Sequence, residues 1–319
     1  MDITSQQCNV IVYLSLVVLL AVAGCGNPQV QSGAFSSGKS LMSDSTFKAY
    51  WYQGEAELNR YDMEQIRYGE VRDGDAVMVF VTEDFLTEEQ VKLESAAEGR
   101  ETASVLKLNF IKEFVTGIYE YNMMSSIFTP VNYQDRPRSL KVASSSQEWC
   151  GTTYSQMNFN AVKNKYKITG HSYFEAEGDY QKSVEATLLE DEIWTKLRLN
   201  PDLLPEGNIQ VIPSSFSIRT THAEWGIQQA TAKKSKWTGS SFPGDSLKSY
   251  SLRYNESGRM LNIIYEQSFP HQIAGWIQSK VTSEDDTLTA KSVRTHSIKS
   301  SYWQKNTNSD EKLRKKLGL

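Results

Sequence analysis

Val105-Leu-Lys-Leu-Asn-Phe-Ile-Lys-Glu-Phe114, then Val-Thr-Gly, then Ile118-Tyr-Glu-Tyr-Asn-Met-Met-Ser-Ser-Ile-Phe128, is the stretch that decides the fold. Two runs of strand length, with apolar and polar side chains in near alternation, flank Thr116-Gly117, so the pattern predicts a β-hairpin. The same reading extends in both directions. Met63–Val71 and Ala76–Thr82 flank Asp73-Gly74, a pair that tolerates the positive φ angles of a tight turn. Tyr250–Tyr254 and Met260–Glu266 flank Asn255–Gly258 and predict a third hairpin. Further strands are expected at Leu140–Ser145, Tyr166–Phe174, Ile209–Ile212, His271–Gln278 and Leu288–Ile298, the last polar on both faces and read as an edge strand.

Helical signals are few. Leu188–Leu199 places Leu189, Ile193 and Leu197 at i, i+4 and i+8, with Glu190, Asp191 and Glu192 ahead of Lys196 and Arg198, the order that suits the helix dipole. Asn200-Pro201 ends it. Ser309–Leu317 predicts a short exposed helix, and acid-rich Glu83–Glu101 reads as a solvated loop. The fold class expected is mainly β: one large antiparallel sheet, as a half-barrel or a sandwich, with one packed helix.

Composition agrees with that class. The 319 residues include 7 Trp, 16 Tyr and 12 Phe, with a formal net charge of -4, which is globular composition with an aromatic content that favours pleated sheets. A mildly acidic chain has no overall field for nucleic acid, so no nucleic-acid partner is expected.

The first residues set an address. Val10–Ala23, apolar except for Tyr13 and Ser15, is too short to span a bilayer, and it runs into Val22-Ala23-Gly24-Cys25, which resembles the lipobox of bacterial lipoproteins. The expectation is a signal peptide over residues 1–24, with Cys25 carrying the lipid. Residues 25–46, rich in Ser and Gly, then form a tether. A single β-rich periplasmic domain follows over residues 47–305, and residues 306–319 form a polar tail or short helix. Gly26-Asn27 after the cysteine lacks the acidic residue of inner-membrane retention, so the resemblance implies the periplasmic face of the outer membrane. With Cys8 in the signal and Cys25 acylated, Cys150 is left alone and is expected in the core.

Several matches look like chemistry and carry little. Gly33-Ala-Phe-Ser-Ser-Gly38-Lys39-Ser40 fits the phosphate-loop pattern, but it lies in the tether without a preceding strand. Gly244-Asp245-Ser246-Leu247 spells an esterase motif without a downstream Asp-x-x-His. Trp149-Cys150-Gly151-Thr152-Thr153 has a threonine where a redox pair needs its second cysteine. His171, His222, His271 and His296 show no zinc-ligand spacing, and Glu175, Glu177 and Asp179 read as a solvated face of a strand. No cofactor and no metal are expected.

Trp51-Tyr52 with Gly54 and Ala56-Glu57, Arg67-Tyr68-Gly69-Glu70, Ser144–Gly151, Asp191–Leu199 with Asn200-Pro201, and Phe269-Pro270 with Gly275-Trp276 make the chain resemble a family of uncharacterised bacterial lipoproteins. Some members carry the label septum formation inhibitor Maf, although the Ser-Pro-Arg-Arg type loop of Maf pyrophosphatases is absent here. The layout also resembles periplasmic half-barrels of the lipoprotein-carrier type, LolA and LolB. That resemblance implies a curved sheet holding acyl chains against a helical plug, with Ile193, Trp194 and Leu197 as the candidate plug residues. The expected function is a non-catalytic envelope lipoprotein that binds an apolar ligand or lipid. The alternatives are an assembly lipoprotein that docks an envelope protein and, behind both, a hydrolase built from Glu175, Asp179 and His171.

Overall fold

The computed structural model describes residues 44–282 and 286–319. The expected signal peptide, Cys25, most of the tether and the phosphate-loop match lie outside the described residues. Helix α1 (Ser45–Trp51) begins at Asp44, whose carboxylate accepts from the backbone N–H of Thr46 and Phe47. Helix α1 thus begins two residues before the expected domain boundary.

The strands follow as β1 (Ala56–Arg67), β2 (Glu70–Leu86), β3 (Val91–Lys92), β4 (Thr102–Thr116), β5 (Tyr119–Pro130), β6 (Lys141–Glu148), β7 (Gly151–Asn160), β8 (Lys165–Ser172) and β9 (Tyr180–Glu185). A two-residue strand β10 (Leu188–Leu189) leads directly into helix α2 (Glu190–Leu199). Then come β11 (Gly207–Ile212), helix α3 (Ser215–Thr221), β12 (Gln228–Lys236), β13 (Leu247–Tyr254), β14 (Met260–Glu266), β15 (Ile273–Val281), β16 (Thr287–Ser300) and helix α4 (Lys312–Lys316). All sixteen strands belong to one sheet, in the order β10-β11-β12-β13-β14-β15-β16-β1-β2-β4-β5-β6-β7-β8-β9, with β3 paired to β2. Every pairing is antiparallel except β10 with β11. The fold is mainly β, an open sheet that does not close on itself, as the alternation in the sequence predicts.

The sheet curls around α2. All ten residues of that helix are buried, and they meet side chains from both wings: Phe110 of β4 and Trp276 of β15 against Trp194, and Glu57 of β1 against Arg198. Chain direction puts the β1–β2, β4–β5, β6–β7 and β8–β9 connections at one end of the sheet, together with those after β11, β13 and β15. We call this end the rim. Helix α2 starts at the rim and runs down between the wings. At the opposite end α1 packs under its last turn, with Trp51 buried against Phe80 and Arg198.

Several expectations are corrected. The first hairpin turns at Tyr68-Gly69, both at positive φ (54° and 74°), and Asp73-Gly74 lies inside β2. Gly74 is there for space: a Cβ would sit 2.2 Å from the Glu113 carbonyl oxygen and 2.7 Å from Phe114 Cβ on the neighbouring strand. The second hairpin turns at Gly117-Ile118, one residue later than Thr116-Gly117. Strand β2 runs through Leu86, so the solvated loop begins after it. Leu288–Ile298 is no edge: β16 sits between β15 and β1 in mid-sheet. Its polar pattern reflects room needed by neighbours, since buried Ser292 lies between Met63 and Trp276. The expected helix begins at Glu190, because Leu188 and Leu189 pair with Val211 and Ile212. Sequence patterning gave no sign of α1, α3, β7, β9 or β12.

Cys150 is exposed. Strand β6 ends at Glu148, leaving Trp149 and Cys150 as the two tip residues of the β6–β7 turn, with Trp149 71% exposed. A turn tip at the rim has no core to enter, so the packed-core reading fails. Glu175, Glu177 and Asp179 lie in the β8–β9 turn region, not on a strand face.

Candidate functional site

The two ends of α2 handle charge differently. At its last turn, Arg198 donates from Nη1 to Glu57 Oε1 (2.5 Å), from Nη2 to Oε2 (2.7 Å) and from Nε to the Pro270 carbonyl (2.9 Å). Glu57 also accepts from Tyr50 and Asn59. Burial alone would raise the Glu57 pKa, but the guanidinium and these hydrogen bonds outweigh it and hold the carboxyl well below its usual range. In mid-helix Glu192 binds Lys196 (2.8 Å) and the backbone N–H of Ser139 (2.9 Å). These charges are matched.

The first turn faces a cavity of about 320 Å³, closed on one side by the inner face of β1 and β4 and on the other by α2 and α3. Phe110, Met123, Trp194 and Phe216 supply apolar wall, and the exposed Tyr68 and Val281 also line the cavity. Of the three plug residues predicted from sequence, Trp194 lines this cavity, while Ile193 and Leu197 are buried in the core away from it.

Lys112 is the residue that sequence reading missed. It occupies an inward position of β4 in register with Leu106, Leu108, Phe110 and Phe114, and only 4% of it is exposed. Its ammonium lies 5.1 Å from the ring centres of Phe110 and Phe216 and 5.8 Å from that of Trp276. Its one hydrogen bond among the described residues is to Gln65 Oε1, at 3.2 Å, and no carboxylate comes within ion-pairing distance. Burial pushes its pKa down to about 8; Glu190 and Asp191 oppose the shift from α2, and Arg259 adds to it. The signal was present as a lysine on an otherwise apolar inward face, which a stable core alone would not select.

The acids nearby are already engaged. Glu190 pairs with Arg259 and accepts from the Tyr254 hydroxyl, so its pKa stays below the usual range despite burial. Asp191 accepts from the Ser215 N–H (2.9 Å) and hydroxyl (3.1 Å) at the start of α3. Burial still pushes its carboxyl up to about 7. Arg67, two positions beyond Gln65 on the same face of β1, donates to the Thr220 carbonyl and to the hydroxyls of Tyr68 and Tyr121, both at 3.0 Å. It is 5% exposed, and its Nε has no partner among the described residues.

A second, more polar cleft lies on the other side of α3. There Glu177 accepts from the Ser172 hydroxyl (2.6 Å) and binds His222 Nδ1 (2.7 Å), with Arg219 bridging to Glu148. The serine proton points at the carboxylate and not at the imidazole, which is not the arrangement of an activated nucleophile. Of the hydrolase trio, His171 and Asp179 meet at 3.2 Å with both side chains exposed, and Glu175 sits apart in an exposed turn. Ser246 lies in an exposed loop ahead of β13. Among the described residues no three His, Cys, Asp or Glu side chains gather as a metal site.

No protein-family profile matches the chain, and no curated protein sequence matches it. Among solved structures, the crystal structure of a beta-barrel-like protein of a domain of unknown function (DUF1849) from Brucella abortus is similar. Its TM-score is 0.44 and its sequence identity 6%, over 76% of this chain and 96% of that one. A likeness that distant transfers no residue role.

Proposed function

We propose that this chain is a non-catalytic ligand-binding protein of the cell envelope, anchored by lipid on Cys25 at the periplasmic face of the outer membrane, and that its ligand occupies the cavity between α2, α3 and the sheet. One observation carries the reading: a curled sheet packed tightly along most of its inner helix leaves, at the rim, a cavity with aromatic and aliphatic walls. Concave, mostly apolar pockets with a few convergent polar groups are the usual form of small-molecule sites. An apolar or amphipathic molecule that matches those walls is the ligand class that fits. The anchor is assigned to Cys25 because Val22-Ala23-Gly24-Cys25 ends an apolar run as a lipobox does.

The test is mass spectrometry of small molecules extracted from the protein after purification from its native envelope without detergent. The expected result is one amphipathic species at near-equal stoichiometry, lost in Trp194→Ala. Protein that is empty, and that binds no single-chain amphiphile on titration, overturns the reading. For the address, Cys25→Ala releases folded protein from the membrane fraction; unchanged retention overturns the lipid anchor.

A further inference from the structure

From the two buried cations that share this cavity without a counter-ion, we infer that its ligand is an anion: a single-chain amphiphile whose carboxylate or phosphate head is held by Lys112 and Arg67. The inference rests on the cavity being a ligand site and adds the chemistry of the head group.

Lys112 on β4 and Arg67 on β1 project from one face of the sheet, from the two strands that flank β2. Gln65 binds the ammonium, and Arg67 follows two positions along the strand, a spacing of about 7 Å. Both side chains are more than nine-tenths buried, and neither has a carboxylate partner among the described residues. The carboxylates within reach are committed elsewhere, Glu190 to Arg259 and Asp191 to the start of α3. A buried charge left without a partner is costly, and removing two such charges by mutation to apolar residues would make a better core. Their presence is explained if a bound anion completes the ion pairs. Arg67 spends its Nη donors on neutral oxygens and keeps its Nε–H without an acceptor among the described residues, so its charge is met by no anion of the chain. The walls supply the rest of the recognition: Phe110, Trp194 and Phe216 offer apolar surface, so a chain attached to the head lies against them.

A neutral apolar molecule would fill the walls and leave both cations unpaired. A cationic amphiphile would be repelled. The order of affinity is therefore anion, neutral, cation.

Full-length protein, stripped of bound lipid, is titrated calorimetrically with dodecanoate, dodecyl phosphate, dodecanol and dodecyltrimethylammonium. Dodecanoate or dodecyl phosphate binds at least about tenfold tighter than dodecanol, and the cation binds weakest; whichever anion is tighter names the head group. In Lys112→Met, which replaces a buried charge by a side chain of similar length, the anion preference collapses while dodecanol binding persists. Equal affinity for dodecanol and both anions in the native protein overturns the anion inference and leaves the ligand-binding reading standing. Failure to bind any of the four overturns both. The native comparison decides the matter even if a variant folds poorly.

Discussion

The two ends of α2 bury charge in opposite ways. At the end packed on α1, the Arg198–Glu57 pair fills its own hydrogen-bonding capacity and is fully buried. At the rim end, Lys112 and Arg67 lie beside a cavity with their charges unmatched by carboxylates among the described residues. Matched, packed charge serves the fold. Unmatched charge beside a hollow lowers stability and is retained where something else binds it.

The largest way to break that contrast is at the packed end. Arg198→Met strands the Glu57 carboxylate in the interior and is expected to cost ~3–5 kcal/mol, read by chemical denaturation. Replacing both partners by apolar residues should recover most of the loss. Acid attacks the same pair. The folded Glu57 pKa lies below its unfolded value of 4.5, so its contribution is present above that pH and drains away as pH falls through the folded value.

The opposite sign is expected at the rim. Lys112→Met should leave stability unchanged or raise it by up to ~4 kcal/mol, because a buried charge is removed. The native Lys112 pKa of about 8 lies below its unfolded 10.5, so the unfolded chain holds the extra proton between those values. Native stability therefore rises with pH across that window, and the variant loses the rise. A destabilised Lys112→Met protein would show that the lysine is structural.

Asp191 sharpens the contrast on the helix itself. Its folded pKa of about 7 exceeds the unfolded 3.8, so its contribution is complete below about pH 4 and is lost as pH rises through 7. Asp191→Asn should flatten that fall, whose slope is at most ~1.4 kcal/mol per pH unit. Melting curves between pH 4 and 8 measure it. The smallest effect is outside both ends. Cys150→Ser at its exposed turn should change stability by less than ~0.5 kcal/mol, and a bulky thiol reagent should label Cys150 fully in the folded protein.

Much of the fold was legible because alternation is local. Val105–Phe128 is a hairpin whose turn falls one residue from its predicted place, and Asn255–Gly258 joins β13 to β14 as expected. The first hairpin was misplaced because Asp73-Gly74 has turn chemistry, whereas Tyr68, a bulky residue at positive φ, does not advertise its turn. Gly74 answers to a strand two places away in sequence order, which no local pattern records. The candidate site was read only in part. Trp194 enters the sequence reading as a plug residue implied by the resemblance to lipoprotein carriers, while the helical spacing itself marks Leu189, Ile193 and Leu197. Lys112 was passed over because a polar residue within an alternating run is ordinarily assigned to the solvent face.

The sequence by itself determined the class of fold, three of its hairpins and the helix at its centre, because the two-residue and 3.6-residue periods are set by backbone geometry within a few neighbours. Only the tertiary structure decided that the helix is buried on its charged face as well as its apolar one, that β16 lies in mid-sheet and that Cys150 is exposed. It also brought Gln65, Arg67, Lys112 and Asp191 around one cavity, from a strand near the start, a strand in the first wing and a helix between the wings. Which charges find partners depends on how far the sheet curls before its edges meet the helix, and that curvature is the sum of contacts between residues far apart in the chain.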